Sequence, residues 1–96
     1  MGYSAHVCTK YEVEHAEVDS ADAFHDLLIK IHELDCAAFC YHQGELLEYT
    51  TDCELYRKVL ERIKDNPVFT EREKETINEL LTLSDQRNDY IHVDIY

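Results

Sequence analysis

Polar and apolar residues alternate through the first segment of the chain. Tyr3, Ala5, Val7, Thr9, Tyr11 and Val13 fall on one side, and Ser4, His6, Cys8, Lys10, Glu12 and Glu14 on the other. A period of two predicts a half-buried strand, here one long strand ending between Glu14 and Val18. From Ser20 the period becomes helical. Phe24, Leu27, Leu28, Ile31 and Leu34 follow the i, i+3, i+4, i+7 rule, Ser20 is placed to cap the first turn, and Asp22 complements its dipole. Cys36 to Thr50 reads as a β-hairpin. Its turn lies at His42-Gln43-Gly44-Glu45, where Gly44 can take positive φ, and its second run passes through Leu46, Leu47 and Tyr49. Thr51 and Glu54 match a capping box in front of Leu55, Tyr56, Val59, Leu60 and Ile63, which predicts a helix ended by Asn66-Pro67. Thr70 and Glu73 match a second box ahead of Ile77, Leu80 and Leu81, and Tyr90 to Tyr96 alternates strictly, as a last strand would.

The predicted order is strand, helix, strand, strand, helix, helix, strand. With the extra helix set aside, this is the split βαβ order of ferredoxin-like folds. The expectation is an α+β domain: a four-stranded antiparallel sheet with helices on one face, βαββα(α)β, and residues 1–96 forming a single α+β domain. A chain of 96 residues buries about 60–65% of its unfolded surface, enough for one modest core. If the helices cover one face, alternation places His6, Cys8, Lys10 and Glu12 on the other. They are joined there by Tyr90, His92, Asp94 and Tyr96, and from the hairpin by Cys36, Cys40, His42 and Tyr49.

Charge narrows the classes of partner. The net charge is −12, and residues 1–50 hold ten acids against Lys10 and Lys30. Direct binding to nucleic acid or to an anionic membrane is disfavoured, because the phosphate interaction would be repulsive. No apolar run approaches the ~20 residues of a membrane span, and the start of the chain lacks the pattern of a signal peptide, so a cytoplasmic location is expected. The four cysteines then read as free thiols.

Soft ligands do gather on the predicted open face. His6, Cys8, Cys40, His42 and His92 are residue types that transition metals favour. Their spacing matches no metal signature, since residues two apart on a strand lie ~6.6 Å apart, so no metal ligand set and no cofactor are expected. Cys8 beside His6 or His42 could form a thiolate pair, and His25-Asp26 or His32-Glu33 a relay, but neighbours on a helix do not face each other. With no nucleophile elbow or phosphate loop, the expectation is no enzyme and no catalytic residues.

The stretch from Ile31 to Tyr56 carries Glu33, Asp35, Glu45, Glu48, Asp52 and Glu54 and neither Lys nor Arg. In general character, a small acidic domain without catalytic motifs resembles the inhibitors that phages direct against host nucleases, whose carboxylates imitate nucleic-acid phosphate. The resemblance implies a non-catalytic protein-binding domain that meets the basic surface of a nucleic-acid-handling protein. Its partner-binding residues would be Glu45, Glu48, Asp52 and Glu54, with Tyr41 and Tyr49 as anchors. The alternative is a small ligand- or metal-binding regulatory module, homodimeric through the open sheet face.

Overall fold

The alternation at the start of the chain does form a strand, but a shorter one. In the computed structural model, which describes residues 3–10, 14–43 and 52–96, with 40–43 as backbone alone, β1 covers Ser4–Lys10. The chain then returns antiparallel as β2, Glu14–Ser20, with Val7 opposite Ala16 and Cys8 opposite His15. The core residues carry the reason. Ala5 and Val7 are fully buried at odd positions, whereas Val18 is buried and Ala16 packs on the core at even ones. A single uninterrupted strand would put these two sets on opposite faces, while a reversal brings them to the same one.

Ser20 then caps α1, Ala21–Leu34, its hydroxyl accepting from the Ala23 amide at 3.3 Å. Phe24, Leu27, Leu28 and Ile31 are buried, as their helical spacing predicts. Asp35 ends the helix and caps a 3-10 turn, Cys36–Ala38, through a bond from the Ala37 amide. Cys36 therefore precedes the hairpin instead of starting it. β3, Phe39–Gln43, pairs antiparallel with β4, Asp52–Tyr56. The expected turn at Gly44 and the run through Leu46, Leu47 and Tyr49 lie outside the described residues.

The capping box at Thr51 to Glu54 does not start a helix. Helix α2 covers only Arg57–Ile63, and its N-cap, Tyr56, makes no side-chain cap bond. A competing period of two wins over residues 52–56: Cys53 and Leu55 are fully buried and alternate with Asp52, Glu54 and Tyr56. The partner strands give this segment a ladder that a helix would forgo. The second box forms as expected at the start of α3, Glu71–Leu83, with Thr70 and Glu73 bonding reciprocally.

The last strand, β5, Tyr90–Ile95, sets the topology. It lies between β1 and β4 in a five-stranded, wholly antiparallel open sheet of order β2-β1-β5-β4-β3. The α+β class with an open antiparallel sheet is as expected, but the ferredoxin-like order is not. Two interleaved crossover units would be needed for that order; here the first strand is already a hairpin, each half pairs locally, and β5 enters between the halves. Ala5, Val7, Cys53, Leu55, Ile91 and Val93 from the sheet meet Phe24, Leu28, Leu60, Ile77 and Leu80 from the helices in one buried cluster. No helix among the described residues is long and apolar enough to cross a membrane.

Arg57 holds the entry to β5. Its guanidinium donates to the Leu81 and Asp85 carbonyls and the Ser84 hydroxyl, each at 2.9 Å, and to the Asn88 carbonyl at 3.2 Å. The Leu81 carbonyl belongs to the last turn of α3, where backbone acceptors lack helical partners. One fork thus satisfies the helix end and the turn that leads into the central strand. Arg57→Ala should lower the unfolding free energy by roughly 2–4 kcal/mol in urea titrations, since it removes four hydrogen bonds from one fork at once, the Leu81 and Asp85 carbonyls keeping their bonds from Gln86 and Asn88. Arg57→Lys should recover less than half, because an ammonium cannot reproduce the fork.

Candidate functional site

Among the described residues, the helices pack on one face of the sheet and none packs on the other, here called the open face. Alternation on β5 sends Ile91 and Val93 into the core and leaves Tyr90, His92, Asp94 and Tyr96 on the open face; on β4 it leaves Asp52, Glu54 and Tyr56 there. Register then brings these residues together. Asp94 stands opposite Asp52 on one side and His6 on the other, His92 opposite Glu54, Tyr90 opposite Tyr56, and His6 opposite Glu17.

A charged network occupies the middle of the face. The Asp94 carboxylate lies between two imidazoles, with Oδ1 2.9 Å from His92 Nε2 and Oδ2 3.1 Å from His15 Nε2. The other His92 nitrogen, Nδ1, is 3.4 Å from Glu54 Oε2. Carboxylates accept hydrogen bonds and do not donate them, so both His92 nitrogens are satisfied together only when both carry hydrogen. Burial alone would favour neutral imidazole, but the hydrogen bond and charge of Asp94, reinforced by Glu54, outweigh it and hold the His92 pKa above the ordinary histidine value.

The network is not fully satisfied. Among the described residues, His15 Nε2, His6 Nδ1 and Asp52 Oδ1 are buried atoms without a hydrogen-bond partner, the His15 contact to Asp94 being close but poorly directed. Asp52 and Asp94 also face each other directly across adjacent strands, a like-charge arrangement that destabilises a sheet. Together with His92 they offer three potential ligand atoms within 4.8 Å of one another. Tyrosines flank the network: Tyr56 and Tyr90 at one end are 42% and 38% exposed, and Tyr96 at the other stacks on His6 with ring centroids 4.0 Å apart.

Cys8, Cys36 and Cys53 form no disulfide. Burial, with Asp52, Asp94 and Glu54 adding to it, pushes the Cys53 thiol far above its ordinary pKa, so it stays protonated as a core residue. Elsewhere, a groove of about 510 Å³ runs between α1 and the start of α3. Two ion pairs cross it, Lys30 with Glu73 at 2.6 Å and Arg72 with Asp19 at 3.5 Å, and among the described residues no buried side-chain polar atom in it lacks a hydrogen-bond partner.

Of the residues that the sequence pointed to, Asp52 and Glu54 lie on this face. Glu45, Glu48 and Tyr49 lie outside the described residues, and Tyr41 is placed only as the register partner of Glu54. His6, Cys8 and His92 sit on the open-face strands as alternation predicts; His42 is placed opposite Cys53 in register. His15 and Glu17 are not apparent while β1 and β2 are read as one strand, and the signal that separates them is the parity change between Val7 and Ala16. Comparison with protein-family models, with curated proteins and with solved structures finds no match, so the geometry alone defines the class: an α+β domain with an open antiparallel sheet whose face away from the helices is polar among the described residues.

A raised folded-state pKa makes His92 stabilising below its unfolded value, near 6.5, and this contribution is lost as pH rises through the folded value. Stability should therefore fall with increasing pH across that window. Asp94→Asn should flatten the slope and bring the His92 titration, followed by NMR of the imidazole Hε1, down towards the ordinary value.

Proposed function

We propose that this chain is a non-catalytic binding domain whose open sheet face receives a Lys/Arg-rich surface of a partner protein, of the kind that handles nucleic acid. The observation that carries the reading is the makeup of that face. Glu17, Asp52, Glu54 and Asp94 form an acidic middle between exposed tyrosines, on a protein of net charge −12. Tyrosine supplies rigid contact area with a polar tip, and carboxylates give steering and register to a cationic partner. A second copy is a poorer occupant, because its face would bring carboxylates against carboxylates. Phosphate mimicry follows naturally: a groove built for a polyanion presents cations that this face complements.

The test uses a fluorescent deca-arginine peptide as the cationic probe, followed by anisotropy. Binding should weaken about tenfold or more between low and physiological-to-high salt, as screening shortens the reach of the field. Glu17→Gln with Glu54→Gln should weaken it, whereas Glu61→Gln with Glu79→Gln, an equal charge change on the helices, should leave it nearly unaltered. Equal losses from both pairs, or indifference to salt, would contradict the proposal.

A further inference from the structure

The geometry points to a binding site for a divalent transition-metal ion in the middle of the open face, formed by His15, His92, Asp94 and Asp52. Three strands contribute, β2, β5 and β4, so the set exists only in the folded sheet. It goes beyond the docking reading and does not depend on any partner.

Ligand chemistry comes first. Two imidazoles and two carboxylates form a nitrogen and oxygen set of the kind that zinc and its neighbours accept. Bonds of ~2.0–2.2 Å place the ligand atoms of a tetrahedral site about 3.3–3.6 Å apart. The Asp94 oxygens already lie 2.9 and 3.1 Å from the two Nε2 atoms. Asp52, His92 and Asp94 keep their ligand atoms within 4.8 Å of one another, and His15 stands just outside that set, joined to it by its 3.1 Å contact with Asp94 Oδ2, so an ion would draw the His15 ring inward.

The second argument is independent of the spacing. Asp52 Oδ1 and His15 Nε2 are buried atoms without hydrogen-bond partners, and Asp52 faces Asp94 as a like charge. A buried unpaired acceptor and directly opposed carboxylates are each unfavourable. A cation between them removes both penalties at once. His92 lies against Asp94 and Glu54, and the ion would replace its proton at Nε2, leaving Nδ1–H to Glu54 as the orienting bond. The balance is simple: one ion enters, imidazole protons are released to the buffer, and no covalent bond is made or broken.

Calorimetric titration of the reduced full chain with Zn²⁺ tests this directly. The expected result is one ion per chain, a heat that varies with buffer because protons are released, and little response to Mg²⁺, which prefers an all-oxygen shell. Separate His15→Ala and Asp52→Asn variants should each weaken Zn²⁺ by at least about tenfold, the low end of what even outer partners of metal ligands contribute. Circular dichroism would show both to be folded, since His15 lies on an edge strand and Asn is isosteric with Asp. Cys36→Ser with Cys40→Ser should bind as the unmodified chain does. Failure of that chain to take up one equivalent would overturn the site, as would full binding by both ligand variants or loss of binding in the cysteine variant. Deca-arginine binding decides the docking reading separately, because its variants, Glu17→Gln and Glu54→Gln, leave all four proposed ligands in place.

Discussion

The structure depends on the pairing of β5 along both of its edges. Two hairpins, β1-β2 and β3-β4, lie in one sheet only because Tyr90–Ile95 completes a ladder to each. An isolated hairpin is at best marginally stable in water, so the central strand is what turns two such units into a sheet able to bury a face. Its alternation serves both sides. Ile91 and Val93 join the core, while His92 and Asp94 are carried to the middle of the open face. Arg57 secures the approach, tying the end of α3 to the turn before β5.

That arrangement places an electrostatic conflict at the centre of the sheet. Asp52 and Asp94 are set opposite each other by the same register that aligns Cys53 with Val93 and Leu55 with Ile91 in the core. Slipping the register by one residue would relieve the carboxylates but expose the core residues, and apolar burial decides the outcome. A protonated His92 offsets part of the repulsion, and the raised pKa of that imidazole extends the pH range over which it does so. The remaining unsatisfied atoms fall where a sequence obeying only stability would have placed Thr or Val, and departures of this kind gather at functional positions.

Much of the fold was legible in the sequence wherever one period stood unopposed. Phe24 through Ile31, Ile77 through Leu81 and the strict alternation of β5 each formed the element that their spacing predicts, and Ser20 and Thr70 cap as expected. The failures arose where two local signals competed. Thr51 to Glu54 satisfies a capping box and a strand alternation together, and only the long-range ladder to β5 decides between them. Tyr3 to Val18 alternates through a reversal, so the turn is hidden from a period-two reading, and the parity of Ala16 and Val18 was its trace. The candidate site suffered from the same two errors. His15 and Asp52 belong to β2 and β4, the strands that local reading merged or made helical, so their meeting with His92 and Asp94 could not be seen before the strand order was known.

The central claim is that the sheet face opposite the helices is the binding surface. Amide and imidazole NMR shifts of the labelled full chain, recorded during titration with deca-arginine, test it most directly. The account predicts changes concentrated on His6, Glu17, Glu54, His92, Asp94 and Tyr96, with α1 and α3 nearly silent. Changes concentrated instead along the α1–α3 groove, around Asp26, Glu33 and Glu73, would contradict it.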